Sequence, residues 1–478
     1  MSGSVATADT AFRVAEHLKR ASAPWDVFGE RITTHEIHFG PRGIELLRGP
    51  IVLEGYGLRL LRSRDGKIGV GYQASTDASV DGVASTLEAA ESVSRYSAFP
   101  AKDVTLPTGT GTGAPRPEIT DPAVWADAPR ALANYTSALF AAFQNRPGIG
   151  LSFGSVKTRK TEVTMANSSG LSAGYGHTRV ELEVAVKSSG GAEGAPPGEY
   201  WVTAFDRRLD ATPLPRLADD WSRYASDARR AKAPPGGEHA VVLPPSVLEA
   251  ILPASLGYKL SGRAELREMA PAIGSTVGAP QVTLEDDGTL PWAFGSSPLD
   301  DEGTPQRRRT LIRNGVTTEL LYDALHGSAL NHASTGSAFR GGFASLSSGG
   351  SSFGSAPGPS CTTLTIPGGD GGSDEELIEA AGEGIWVQQL GWASPDGLTT
   401  MFGGEIRIGY RIRHGKLAEP VRGGTLGGLV LAGPNTPSLL ANVAGIGSRA
   451  TLTGHVSVPT LLVRPMTLGG DEVATSAA

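Results

Sequence analysis

Apolar positions follow two rhythms along the chain, and the point where one gives way to the other divides it. Residues 9–20 place Ala11, Val14, Ala15 and Leu18 at the spacing of one helix face and predict a first helix. Four runs with the twofold alternation of strands follow at 32–39, 43–53, 57–62 and 67–73, separated by glycine and Arg-Asp-Gly turn signals. Residues 76–97 read as an amphipathic helix with a Ser or Asp cap, and a second long helix is expected over 122–145. Strands near 149–157, 160–167 and 177–187 and a helix near 215–231 complete this half. RRAKAPPGGEHA, 229–240, reads as a linker. Beyond it the helical rhythm is rare: one short helix is expected around 246–261 and another around 373–383, opening at Ser373, among many short strands. Residues 336–359 are dominated by Gly and Ser and are too long for an ordinary connection. The pattern predicts an α+β protein, with a mixed α/β N-terminal domain over 1–235 and a mostly β C-terminal domain over 236–478.

Composition narrows the function classes. At 478 residues the chain exceeds one ordinary core, and 64 Gly and 33 Pro beside 39% hydrophobic residues indicate a folded, turn-rich protein. A net charge of −7 argues against nonspecific nucleic-acid binding, which needs a clustered basic surface. The one basic run, Arg307-Arg308-Arg309, reads as the solvated start of a strand. A single cysteine, Cys361, excludes an intrachain disulfide and fits a reducing compartment. No run reaches the ~18 apolar residues of a membrane span, and the N-terminus has neither the apolar core nor the cleavage pattern of a signal peptide. The expectation is a cytoplasmic protein that engages neither nucleic acid nor membrane.

Three motifs invite a catalytic reading and fail on spacing or context. In TTHEIHFG, His35 and His38 flank Glu36, but a zincin helix needs two histidines four residues apart. Here they are three apart on a strand pattern, which sends them to opposite faces. GLSAG, 170–174, fits the nucleophile-elbow pattern, yet the surrounding sequence reads strand–turn–strand where an elbow needs strand–turn–helix. GTGTGA, 109–114, lacks the strand–helix frame of a nucleotide loop. Cys361 opens a β-rich run and reads as a buried structural thiol, with a nucleophile as the rival. Glu285, Asp286 and Asp287, with Asp300, Asp301 and Glu302, sit in Asp-Asp-Gly and Asp-Glu-Gly contexts that make turns, with cation binding or acid–base work as the rival.

The same acidic stretch, LEDDGTLPWAFGSSPLDDEGTPQRRRTLIRNGVTTELLYD at 284–323, resembles the central signature of the TldD/PmbA family of modulator-of-gyrase peptidases. HEIHFGPRGIELLRGPIVLEGYGLRLL and GKIGVGYQAST resemble that family's N-terminal region. STGSAFRGG, APGPSCTTLTIPGGD, FGGEIRIGYRIRHGKLAEPVRGGTLGG and VPTLLVRPMTLGG resemble its C-terminal domain, so the likeness runs along nearly the whole chain. It implies one of two branches: a TldD-like zinc metallopeptidase, with a His-Glu-x-x-x-His helix and a cysteine ligand near the C-terminus, or a TldE/PmbA-like subunit that lacks the metal site and pairs with the first.

SVLEAILPASLGYKLSG, 246–262, lies where the zinc helix belongs. Ser246 and Glu249 read as a capping box, Leu248, Leu252, Leu256 and Leu260 as a buried stripe, and Pro253 as a kink. Aligned with the family helix, Pro253 and Ala254 fall at the His-Glu positions and Tyr258 at the second His. None of the three supplies an imidazole for zinc or a carboxylate to activate water. GIGSRATLTGHVSVPTLLV, 445–463, has no cysteine for the third ligand, and His455 stands there alone.

The resemblance thus implies a non-catalytic TldE/PmbA-like subunit with no cofactor of its own. It implies zinc in a TldD-like partner, a heterodimer or larger assembly, and a chamber taking extended peptides by strand addition. Phe339, Arg340, Phe343 and Phe353 in 336–359 either line that chamber or belong to a surface loop. General peptide turnover and the maturation of a peptide natural product both remain open. Two rivals stand beside it: a stand-alone hydrolase using Cys361 or His326 with His332, and a peptide-binding homo-oligomer.

Overall fold

The computed structural model describes residues 9–19, 21–189, 197–211, 213–341, 352–433 and 436–470. Its first half is built on six antiparallel strands: β1 (Trp25–Gly40), β2 (Gly43–Arg64), β3 (Lys67–Ser75), β4 (Ile149–Asn167), β5 (Ser172–Ser188) and β6 (Gly198–Asp206). They lie in the order β3–β2–β1–β4–β5–β6. Four helices attach to this sheet: α1 (Thr10–His17), α2 (Val80–Tyr96), α3 (Pro122–Phe143) and α4 (Leu214–Ala228). α3 and α4 bury Val124, Leu132, Leu139 and Trp221 against Ile37, Phe39, Val156 and Leu182. α1 and α2 cover the other end through Val14, Leu18 and Val83 against Tyr56, Leu58 and Leu60.

The second half is richer in β structure, in a mixed α/β protein overall. β7 (Gly237–Leu243), β14 (Gly384–Gly391), β15 (Met401–Arg413), β16 (Lys416–Val421), β17 (Thr425–Leu429), β18 (Val443–Ile446) and β21 (Leu461–Gly469) make one sheet. Because β14 pairs with both β7 and β15, part of it closes into a ring. A second sheet joins β8 (Leu284–Asp287), β9 (Arg308–Arg313), β10 (Val316–Thr317), β13 (Leu364–Thr365), β19 (Thr451–Thr453) and β20 (Val456–Val458). β11 (Ala338–Arg340) and β12 (Pro357–Pro359) form a separate ribbon. α5 (Pro245–Lys259) runs through the core between the sheets. The shorter α6 (Gly262–Glu265) and α7 (Ala324–Leu330) flank it, and α8 (Asp374–Ala381) packs on β7 and β21. The leucine stripe of 248, 252, 256 and 260 is fully buried, as its four-residue spacing requires.

Several local readings change. The two strands expected over 43–62 are one, β2, and its Gly55 and Gly57 are there for contact, not turning: a Cβ on either would strike Phe353, and on Gly57 also Tyr72. The strands expected at 149–157 and 160–167 likewise merge into β4. α5 starts one residue early, with Pro244 as its cap and Pro245 in its first turn, so Ser246 is exposed and no capping box forms. Pro253 does not interrupt it, because the fully buried leucine stripe holds the helix across the missing N–H. Part of the expected linker is sheet: Lys232 bridges Val421, and β7 begins at Gly237. GLSAG runs from the β4–β5 hairpin connection into the start of β5, and His35 and His38 lie on β1, as the spacing required.

Ser373 opens α8 with a complete capping box, its hydroxyl accepting from the Glu376 N–H and the Glu376 carboxylate accepting from the Ser373 N–H. Ser373→Ala is expected to cost about 1 kcal/mol of stability in urea unfolding, with the m-value unchanged.

Candidate functional site

Two places in the fold carry chemistry: the α5 helix and the seam between the N-terminal sheet and the second half. On α5, Pro253 is buried, while Ala254 and Tyr258 are half-buried on the side facing Gly397. The Tyr258 hydroxyl accepts from Arg267 Nη1 at 2.8 Å, so its one donor atom is already held by a cation. These three positions do not fit zinc: two offer no donor and the third is a phenol whose oxygen is bound to arginine. Among the described residues, no group of three or more His, Cys, Asp or Glu side chains is placed to hold a metal ion. Glu249, one turn earlier, accepts from the backbone N–H of His455, and burial pushes its carboxyl up to about 7. His455 is buried with Nδ1 3.1 Å from the Thr362 carbonyl, and burial lowers its pKa to about 3.

The seam holds a lattice of buried ions that the sequence pattern concealed. Arg59 on β2 donates from Nε to Asp26 Oδ2 at 2.6 Å, and its Nη2 lies 2.7 Å from Glu302 Oε1 in the DDEGTP turn. Arg340 on β11 reaches the other oxygen of Asp26 at 3.0 Å, while its backbone N–H donates to Asp301 at 2.7 Å. The second oxygen of Glu302 accepts from Ala324 N at the start of α7, and Asp300 accepts from Ala338 N on β11. Asp286 on β8 completes the set, bound to Arg309 Nη1 at 2.8 Å and to the amides of Thr362 and Thr363. The acidic groups are turns, as their composition dictates; Asp300 alone satisfies two amides of its own loop. Yet Asp286 and Glu302 point inward to guanidinium groups, and Asp301 to the backbone of Arg340. The solvated reading of Arg307–Arg309 therefore holds for Arg307 and Arg308, which pair with Glu319 and Glu285 at the surface, and fails for Arg309, which is fully buried.

Beside this lattice lies an enclosed cavity of about 40 Å³ lined by Glu30, His177, Arg179, Arg207, Asp301 and Arg340, among others. Among the described residues no carboxylate across the seam pairs with the Arg207 side chain. It donates instead to the carbonyls of Thr178, Ala293, Phe294 and Ser296. Burial and the neighbouring Arg179 charge lower its pKa to about 9. His177 is held well below its ordinary value by burial and by both arginines, so its ring is neutral. Burial lifts the carboxyl of Asp301 to about 7 against the pull of Arg340, and raises Glu30, Glu302 and, most strongly, Asp300, on which the Glu302 charge also bears.

The residues considered from sequence fall as follows. Phe339 and Arg340 line the enclosed cavity, and Phe353 is buried beneath Gly55 of β2. Phe343 lies outside the described residues. Cys361 is buried with its thiol 3.7 Å from the Pro253 carbonyl, and burial together with Asp286 drives its pKa far up, opposite to a nucleophile's need. His326 turns Nδ1 to Asp323 at 2.8 Å and meets Phe99 edge-on, whereas His332 stacks on Tyr322 at 4.6 Å. His332, and not His326, borders an open groove of about 880 Å³ with Thr105–Thr112 and Gly303–Pro305. No signal in the local sequence distinguished the buried acids from surface turns; the partner of Glu302, Arg59, belongs to the other half of the chain.

Arg59→Ala would leave Asp26 and Glu302 buried without their shared cation and is expected to cost about 3–5 kcal/mol, read by chemical denaturation. Asp301 gives a pH signature. Its folded value of about 7 lies above the ordinary carboxylate value, so the folded state holds the proton more tightly than the unfolded chain. That contribution is complete below about pH 4 and is lost as pH rises through 7. Relative to Asp301→Asn, which does not titrate, the natural chain is expected to lose on the order of 2 kcal/mol of stability between pH 5 and 8. A flat difference would remove the buried proton from the account.

Comparison with known proteins now gives these features a setting. Residues 236–470 match the model of the PmbA/TldA metallopeptidase C-terminal domain. A metalloprotease TldD homolog from Haemophilus influenzae is 28% identical over 251 residues, 50% of this chain and 50% of that protein. A metalloprotease from Methanothermobacter thermautotrophicus is 28% identical over 222 residues, 46% of this chain and 45% of that protein. The chain thus spans about half the length of the curated relatives it matches. Among solved structures, a candidate modulator of a DNA gyrase from Thermotoga maritima superposes with a TM-score of 0.79 at 16% identity, covering 96% of this chain and 99% of that one. TldE from Thermococcus kodakarensis superposes at 0.75 and 17% identity, covering 97% and 99%. At these identities the two structures speak for the fold, in both halves; the family is carried by the second half, through which the chain belongs to the TldD/PmbA metallopeptidase family.

Proposed function

We propose that this chain is a TldE/PmbA-like subunit without catalytic machinery of its own, which pairs in the cytoplasm with a TldD-like zinc metallopeptidase to process extended peptides. The observation that carries the reading is α5. The helix keeps its leucine stripe and its place in the core, while Pro253, Ala254 and Tyr258 occupy the positions at which the family resemblance puts the metal-binding and water-activating groups. The likeness in fold to a TldE across 97% of the chain supports the same branch. The stand-alone hydrolase loses support from the Cys361 thiol, which burial and the Asp286 charge keep protonated. In this reading zinc belongs to the partner, whose bound ion supplies the activated water. This chain's part is structural, with the seam lattice fixing the two halves that would wall the chamber.

The purified chain alone is expected to carry far less than one equivalent of zinc and to leave unfolded peptides intact. Mixed with a TldD-like protein from the same source, it is expected to co-elute and to give chelator-sensitive cleavage. Chelator-resistant cleavage by this chain alone would overturn the reading. Tyr258→His by itself is expected to bind no stoichiometric zinc, because Pro253 and Ala254 still supply no donors.

A further inference from the structure

β2, with 22 residues, is more than twice as long as its outer neighbour β3, with 9. β3 pairs with it only from Tyr56 to Arg64, so the outer edge of β2 from Gly43 to Glu54 has no ladder partner among the described residues. A free edge of this length is normally blunted by charge, proline or bulges, and this one carries Glu45, Arg48, Glu54 and Pro50 among a larger number of apolar side chains. Here the sequence is GIELLRGPIVLE, and Ile44, Leu46, Leu47, Ile51, Val52 and Leu53 are all exposed, Leu47 to 67%. The register with β1 divides them evenly. Ile44, Leu47 and Val52 lie opposite Phe39, Ile37 and Thr33 on the face that α3 covers further in; Leu46, Ile51 and Leu53 lie opposite His38, Thr34 and Ile32 on the other face.

An occupant resting on one face would leave three of these side chains in water. A strand that continues the sheet sets its own side chains beside both rows and satisfies the free backbone edge as well. The pattern also nearly mirrors itself about the Gly49–Pro50 bond: Leu47 matches Val52, and Leu46 matches Leu53, each pair on one face. An antiparallel strand of like pattern therefore meets apolar with apolar along the run. Side chains of this size carry on the order of 100 Å² of apolar surface each, so six at about half exposure present roughly 300 Å² in two rows, one on each face of the edge. Doubled by the partner and extended by the backbone, it supplies a large part of the ~1,200 Å² at which specific interfaces begin.

We propose that the outer edge of β2, residues 43–54, is a subunit-docking edge, filled by the corresponding edge strand of a second chain of this fold. It rests on the pairing reading above, which makes that second chain the TldD-like subunit.

Two variants test it, both at exposed positions. Leu47→Glu/Ile51→Glu places a charge on each face and is expected to keep the thermal midpoint while weakening the complex with the TldD-like protein at least 100-fold in sedimentation equilibrium. Leu47→Cys adds an accessible thiol beside a buried Cys361, and its alkylation by iodoacetamide is expected to slow at least tenfold in the complex. Undiminished pairing by the double variant, or unprotected alkylation in a formed complex, would overturn the edge while leaving the pairing reading intact. Failure of the natural chain to pair with the TldD-like protein would overturn both. Self-association of the natural chain that the double variant abolishes, without pairing to the TldD-like protein, would replace the proposed occupant by a second copy. Protection of Leu47→Cys by an unfolded peptide alone would replace it by substrate.

Discussion

One guanidinium group governs how this molecule is put together. Arg59 stands near the middle of β2 with essentially no solvent exposure, gripped by Asp26 from the neighbouring strand and by Glu302 from a turn of the other half. Removing such charges from water costs several kcal/mol per ion, and only close geometry with further hydrogen bonds offsets it. Both carboxylates have further partners: Asp26 is shared with Arg340, and the second oxygen of Glu302 accepts from the Ala324 N–H at the start of α7. Neither half can form this arrangement alone, since the arginine belongs to one and the turn to the other. The lattice therefore fixes the relative placement of the halves more narrowly than apolar contact would, because a shift of an ångström unpairs buried ions.

That division of labour explains how the α5 helix can lack metal donors and stay in place. In domains that fold around zinc, ligand loss removes folding free energy. Here α5 is held by Leu248, Leu252, Leu256 and Leu260 in a core that includes strands of both C-terminal sheets, and its donor positions lie outside that stripe. Packing and chemistry use different residues of one helix, so the chemistry can be absent without disturbing the packing. Pro253 makes the same point, since a residue that ends most helices is tolerated here by the surrounding core.

Much of the fold was legible in the sequence. The helices at 10–17, 80–96, 214–228 and 374–381 follow from periodicity and caps, and the strand nature of His35, His38 and GLSAG follows from spacing. The errors share a physical cause. Gly55 and Gly57 read as turns because a single sequence cannot show that Phe353 and Tyr72 press against them from afar. Pro244 and Pro245 outcompeted the Ser246 cap by fixing the backbone one residue earlier. The inward acids Asp286, Asp301 and Glu302 have the composition of solvent-facing turns, and nothing local reveals that Arg309, Arg340 and Arg59 meet them. Long-range ion pairing leaves no periodic trace. The family signature did point to the same stretch, but as a motif and not as an electrostatic centre.

The central claim is that all the chemistry of the assembly lies in the other subunit. The most direct measurement substitutes glutamine for the glutamate of the His-Glu-x-x-x-His helix in the TldD-like partner and assays peptide cleavage by the complex with this chain in its natural form. The account predicts an assembled, folded complex whose cleavage falls to background. Cleavage that persists in that complex would contradict it, and would place a working site in this chain.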